Sequence, residues 1–223
     1  YRLILESESN EDVKVIILSG SGKHFTSGSN VKAMGNRKVH ETIDHMSDFN
    51  EIIKKISLSE KIFISAVQGF CIGGGTGIAL ASDITFAADN AKFGFTFSKI
   101  GLIPDCGTLY FLPRLVGKKK AKELIFNAEI INSNQALELG IVNELLPKED
   151  LMDKAFQYAK QLVNGPSLAL SWTKKIINQS DLLSLEDVLE YERLGQTIMQ
   201  QSEDHKEGVK AFKEKRKPNF IGR

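Results

Sequence analysis

Asp105 is the one acid in "FSKIGLIPDCGT", residues 97–108, among apolar and small neighbours. Pro104 precedes it and Cys106 and Gly107 follow, so the chain turns there. A carboxylate in such company is either an exposed turn residue or a desolvated base held ready to exchange protons. A second stretch, "GFCIGGGTGIALASDI" (69–84), sets three successive glycines at the start of a helical pattern. Glycine lets a ligand approach the backbone, and the first turn of a helix offers N–H groups without intrahelical partners. A phosphate loop is excluded, because neither Lys-Ser nor Lys-Thr follows the glycines. A dinucleotide fingerprint is excluded as well: its last glycine falls on Ile78 when counted from Gly73, and on Leu80 from Gly75. Two readings stay open. The N–H groups are aimed at a carbonyl oxygen that gains charge, or the glycines serve tight helix–strand packing. A third stretch, "GKHFTSGSNVKAM" (22–34), is another small-residue turn entering a helical pattern, able to give a second N–H to the same oxygen.

The elements that must hold these turns alternate. "VKVIILSG" (13–20) reads as a strand buried on both faces, and "IFISAVQG" (62–69) repeats it. Between them "HETIDHMSDFNEIIKKIS" places Ile43, Met46, Phe49, Ile52, Ile53 and Ile56 at helical spacing. "ITFAAD" (84–89) and "IVNELL" (141–146) are further strands. This rhythm predicts an α/β fold of βαβ units with right-handed crossovers. From about Asp150 the pattern is helical throughout; Gly165 ends one helix, Pro166 opens the next, and "LEDVLEYERLGQTIMQQ" is another. The expected division is a sheet-containing core over 1–149 and a helical region over 150–223.

"GSGKHFTSGSNVKAM", "AVQGFCIGGGTGIALASDITFAADNAKFGF", "KIGLIPDCGTLYFLPRLVG" and the closing "EGVKAFKEKRKPNF" together resemble the enoyl-CoA hydratase/isomerase (crotonase) family over Val13 to Phe220. The resemblance implies a crotonase-like fold of repeated ββα units with a C-terminal helical region that joins copies into a trimer or hexamer. It implies an acyl-CoA substrate and no separate cofactor, coenzyme A being part of the substrate. It puts the two oxyanion N–H donors on Ser29 and Gly74. It puts CoA contacts on Ser27, Ser29, Asn30, Val31 and Lys32, with Phe212 and Lys215 reaching CoA from a neighbouring subunit. The two glutamates typical of hydratases in this family would fall on Gly77 and Phe97, and both are missing. Asp105 stands where a subset of the family, resembling dienoyl-CoA isomerases and the phenylacetate-pathway ring-epoxide isomerases, carries an aspartate. Water addition calls for two carboxylates to divide base and acid work, whereas moving a double bond needs one. The expectation is therefore an enoyl-CoA isomerase with Asp105 as acid/base; a hydratase and a non-catalytic CoA-binding relative are the alternatives. Phe95, Phe97 and Ile103, with Ile100 and Leu102, are candidates for an apolar acyl pocket, and core packing is expected for at least half of them.

Composition agrees with a small-molecule enzyme. The 223 residues carry 29 basic and 28 acidic side chains, leaving no basic field for a nucleic-acid backbone. Lys118, Lys119 and Lys120 read as a solvated helix face. His24, His40, His45 and His205 show no metal-ligand spacing, and no metal is expected. Cys71 and Cys106 read as buried thiols of a reducing, cytoplasmic compartment, Cys106 as a small filler beside the pocket. Asp83 reads as a structural cap or pair, and Trp172 as core or subunit interface. No run of apolar residues suits a membrane span. The start "YRLILESESN" reads as a helix entered midway rather than a signal peptide, and a longer native chain is expected.

Overall fold

The computed structural model describes residues 2–35 and 37–223. The order is α1 (Arg2–Ser9), β1 (Val15–Ser19), α2 (Val39–Leu58), β2 (Ile62–Val67), β3 (Phe70–Ile72), α3 (Gly74–Ala81), β4 (Ile84–Ala88), β5 (Lys92–Gly94), α4 (Thr108–Phe126), β6 (Ile130–Asn132), α5 (Ser133–Glu138), β7 (Glu144–Leu146), α6 (Leu151–Val163), α7 (Ser167–Ile177), α8 (Leu185–Met199) and α9 (Glu203–Glu214). Strands β1, β2, β4 and β7 form a parallel sheet in the order β1-β2-β4-β7. A second sheet, β3-β5-β6, pairs β3 with β5 in parallel and β5 with β6 antiparallel.

β2 is buried along almost its whole length, and its period of two divides its side chains between layers. Ile64 and Ala66 join Phe86 and Ala88 of β4 against Leu151, Ala155 and Ala159 of α6. Phe63 faces the other way, against Ile53 and Ile56 of α2. Thus α6, which opens the C-terminal helical region, covers one face of the sheet. A third cluster, with Phe93, Phe95, Leu112 and Leu124, fills the space between the second sheet, α4 and α5. Complete burial of one such side chain contributes roughly 1.5–3 kcal/mol. β1, at one end of the sheet order, departs from expectation: Val15 to Leu18 are only half-buried and Ser19 is exposed.

The tail is clasped to the core by a buried ion pair. Lys174 of α7 donates to the carbonyls of Ile56 (2.9 Å) and Lys61 (2.8 Å) and to Oδ2 of Asp83 (2.8 Å). Asp83 Oδ2 also accepts the Phe63 N–H at 2.7 Å, which is the pairing role read for it in the sequence. Lys118 and Lys119 lie exposed on α4, just after its break at Gly117, as a solvated face should. Among the described residues no helix is long and apolar enough to cross a membrane.

Candidate active site

The two glycine turns lie against each other. Thr26 forms a bridge with Cys71 of β3: its N–H donates to the Phe70 carbonyl (2.9 Å), and its carbonyl accepts the Ile72 N–H (3.1 Å). The Thr26 hydroxyl accepts the Gly28 N–H at 3.1 Å and closes the turn that carries Ser29. Gly73 has φ 60° and ψ −130°, a conformation open to glycine, and this swings the chain from β3 into α3. A Cβ on Gly73 would sit 4.0 Å from the Cα of Gly28, so the backbones bearing Ser29 and Gly74 come close together. Gly75 is required for the same contact, since a Cβ there would overlap the Thr26 side chain. Among the described residues neither the Ser29 nor the Gly74 N–H has a protein acceptor.

Ser29, Gly74 and Asp105 line one cavity of about 740 Å³. Asp105 precedes Cys106 and Gly107, both in the left-handed region (φ 49° and 74°), and the Thr108 N–H donates to the Asp105 carbonyl at 3.0 Å as α4 begins. Holding a non-glycine residue such as Cys106 there costs on the order of 1–3 kcal/mol. Asp105 Oδ1 is buried without a hydrogen-bond partner and lies 3.3 Å from where a Cβ on Gly74 would be. Burial raises the Asp105 carboxyl above its ordinary pKa, opposed by the Cys106 thiol, by its own backbone N–H and by the charge of His45. The opening choice for Asp105 thus falls to a partly desolvated carboxylate facing a cavity.

Phe25, Phe49, Ile52, Ile56 and Ile78 supply apolar wall, with Leu18 of β1 and Ile4 of α1. The pocket residues expected from sequence are elsewhere. Phe95 is completely buried in the core with Leu112 and Leu124. Phe97 is buried with its ring tip 4.0 Å from where a Cβ on Gly73 would lie, but it does not line the cavity. Ile103 is 77% exposed and does not line it either. The turn at Gly101 carries the exposed Leu102 and Ile103 outward, while Phe95 packs with Cys71 of β3 and Leu112 of α4. The walls come instead from the inner face of α2, whose spacing was legible as helix but not as cavity.

Ser27 and Asn30 are exposed on either side of Ser29, and Val31 and Lys32, also exposed, open a 3-10 turn (Val31–Ala33) capped by Asn30, whose Oδ1 accepts the Lys32 N–H at 3.2 Å. Phe212 is 85% exposed and lines a different cavity of about 700 Å³ between α7, α8 and α9, together with Trp172, Met199 and Phe220; Lys215 ends α9. Neither residue lines the Asp105 cavity in this chain. Thr26 was missed as part of the site, and so were Phe49 and Ile52, for which the helical spacing of α2 was the available signal.

Residues 3–223 match the family described as enoyl-CoA hydratase/isomerase. A 1,2-epoxyphenylacetyl-CoA isomerase of Escherichia coli is 34% identical, over 97% of this chain and 84% of its own. A crotonyl-CoA hydratase of Syntrophomonas wolfei is also 34% identical, over 96% of this chain and 84% of its own. The crystal structure of an enoyl-CoA hydratase from Bacillus anthracis superposes with a TM-score of 0.94 at 29% identity, covering 100% of this chain and 86% of that one.

Proposed function

The chain belongs to the enoyl-CoA hydratase/isomerase family, and we propose that within it this protein shifts a carbon–carbon double bond of an acyl-CoA thioester, using Asp105 as its single acid/base. The Asp105 carboxylate removes a proton from C2 of a 3-enoyl thioester. The electron pair moves onto the thioester oxygen, giving a dienolate that the N–H groups of Ser29 and Gly74 hold. Asp105, now protonated, returns the proton to C4, and the double bond is left in conjugation. No atom is gained or lost. Losing one such N–H donor typically costs about 100- to 1000-fold in rate.

The carrying observation is that Asp105 is the only carboxylate among the described residues lining the cavity. A carboxylate at 77 has no room, because a Cβ there would overlap the Cys106 carbonyl and lie 2.7 Å from its Cβ. The position at 97 holds a buried phenyl ring. The hydratase reading draws support from the Syntrophomonas wolfei relative, and one assay divides the two. Given a 3-enoyl-CoA and a 2-enoyl-CoA separately, the protein should conjugate the first and add water to the second weakly. Rapid hydration without conjugation would contradict the proposal, and so would binding without turnover of either.

In the same reading Ser27, Ser29, Asn30, Val31 and Lys32 meet the CoA moiety, and Phe212 and Lys215 meet that of a neighbouring copy. Exposed Leu182, Leu185, Leu189 and Phe156 make residues 150–223 a surface for contact between copies, as a trimer or hexamer. A stable monomer in sedimentation at micromolar concentration would contradict this. The two buried free thiols suit a reducing compartment such as the cytoplasm.

A further inference from the structure

The cavity lined by Asp105 is apolar over most of its wall and holds one kind of charge. Ile4 of α1, Leu18 of β1, Phe49 and Ile52 of α2 and Ile78 of α3 belong to one apolar cluster, packed against a buried group that includes Ile56 and Cys106. Among the described residues no lysine, arginine or histidine lines the cavity. The hydroxyls of Ser7, Ser19, Thr26 and Ser29 can donate a hydrogen bond but carry no charge. Where basic side chains reach α1 and α2 they serve the fold. Lys61 donates to the carbonyls of Ser7 (2.7 Å) and Asn10 (2.5 Å), and Lys55 pairs with Glu8 at 3.8 Å. His45 sets its ring edge-on to that of Phe49, 4.8 Å between centroids, outside the lining. The one carboxylate in the cavity, Asp105, already has an oxygen buried without a partner, and burial raises its pKa. A second carboxylate brought in beside it would be stripped of water, would find no cation, and would meet Asp105 as a like charge.

We propose that this cavity selects a hydrocarbon acyl group that carries no second carboxylate, and that Phe49 and Ile52 form the wall that sets the choice. The inference rests on the reading of the cavity as the seat of an acyl-CoA thioester. The substrate class is then the thioesters of monocarboxylic hydrocarbon acids, chain or ring, and not those of dicarboxylic acids. Phe49 and Ile52 are three apart on α2, so they share a face, and both are half-buried. They stand on a different element from the turns that carry Ser29, Gly74 and Asp105, so the wall can be changed without replacing a reacting group.

The test is the binding of CoA esters without a double bond to the full chain, at about pH 7.5, where a free carboxylate is ionised. Hexanoyl-CoA should bind about 100-fold more tightly than adipyl-CoA, lost hydration and like charge acting together. The ω-methyl ester of adipyl-CoA, uncharged and of similar length, should bind like hexanoyl-CoA. Phe49→Arg places a cation in the wall; it should tighten adipyl-CoA about tenfold or more and weaken hexanoyl-CoA. Should that variant not fold, as thermal melting would show, Ile52→Lys carries the same expectation. Equal binding of hexanoyl-CoA and adipyl-CoA by the native protein would overturn the proposal. So would a methyl ester that binds as weakly as the acid, because length rather than charge would then be the cause. A native preference that neither variant narrows would overturn the assignment of Phe49 and Ile52. None of these esters has a double bond to move, so the proposed isomerisation fails separately, through absent turnover of 3-hexenoyl-CoA. Binding of neither hexanoyl-CoA nor adipyl-CoA would overturn both.

Discussion

Two aspartates in this molecule are withdrawn from water, and their surroundings differ in kind. Asp83, at the entry to β4, is met by the Lys174 ammonium at 2.8 Å and the Phe63 N–H at 2.7 Å. Asp105 lines a cavity of about 740 Å³, and its Oδ1 is buried with no hydrogen-bond partner. Burial raises both carboxyls above their ordinary pKa, and the same burial lowers that of Lys174. A raised pKa alone therefore does not mark a functional group. What separates the two is whether the carboxylate's hydrogen-bonding capacity is used by the fold: it is at Asp83, and at Asp105, which lines the cavity, Oδ1 is left unpartnered. Asp83 should govern stability with little direct influence on chemistry, and Asp105 the reverse.

The largest expected effect breaks the Asp83 side of this comparison. Lys174→Met leaves Asp83 buried without its cation, which typically costs about 3–5 kcal/mol. Denaturant unfolding should show that loss, and Asp83→Asn made in the same background should recover part of it. An unchanged midpoint in Lys174→Met would mean that the clasp between α7 and the sheet is not a structural element.

On the Asp105 side, Gly74→Val puts bulk where the Cys106 sulfur lies, 2.9 Å from the new Cβ, and displaces the N–H at the start of α3. Turnover should fall about 100- to 1000-fold or more. Ser29→Ala should have little effect, because the proposed donor is the backbone. Equal losses in both variants would assign the Ser29 hydroxyl a role of its own.

The smallest effect adds a third kind of carboxylate. Glu207 is paired with Arg216 at 2.6 and 2.9 Å, and it accepts the Asn219 N–H at 2.8 Å. Arg216 first, then that N–H, lower its pKa from 4.5 to about 2. A depressed acid contributes stability above its unfolded value and loses it as pH falls through the folded one. Protection of the Asn219 amide, its exchange rate relative to the intrinsic rate at the same pH, should therefore hold down to about 4.5 and be lost toward about 2, with the rest of the fold unaffected by this group. Protection lost already above about 4.5 would mean that the pair does not hold the C-terminal segment.

Much of this was legible before the fold. β2, α2 and the helices from Leu151 onward follow from periodicity, because each buries a face over several turns or residues. The strands β3, β5 and β6 have three residues each, too few for an alternation to register, and β3 is masked by the glycines after it. β1 looked doubly buried because its residues are apolar, but how far each is covered depends on which elements pack over it, which local sequence does not encode. The turns carrying Ser29, Gly74 and Asp105 stood out because glycine and an isolated acid are uncommon in such runs. The walls did not, because Phe49, Ile52 and Ile78 meet only through the topology, while Phe95, close to Asp105 in sequence, is drawn into the core. The role of Gly77 emerged only with the structure: it is the seat of Cys106, not merely a lost carboxylate.

The central claim is that Asp105 is the acid/base, and one comparison tests it most directly: turnover of Asp105→Asn against the native protein on a 3-enoyl-CoA, with CoA-ester binding measured on the same samples. Asparagine keeps the size and removes the base, and loss of the acid/base group should lower turnover about 100- to 10,000-fold or more while binding is retained. The native rate needs the ionised carboxylate, so its acid limb should lie above the ordinary value of 3.8, on the side to which burial moves Asp105. Near-native turnover in Asp105→Asn, with the same acid limb, would contradict the account.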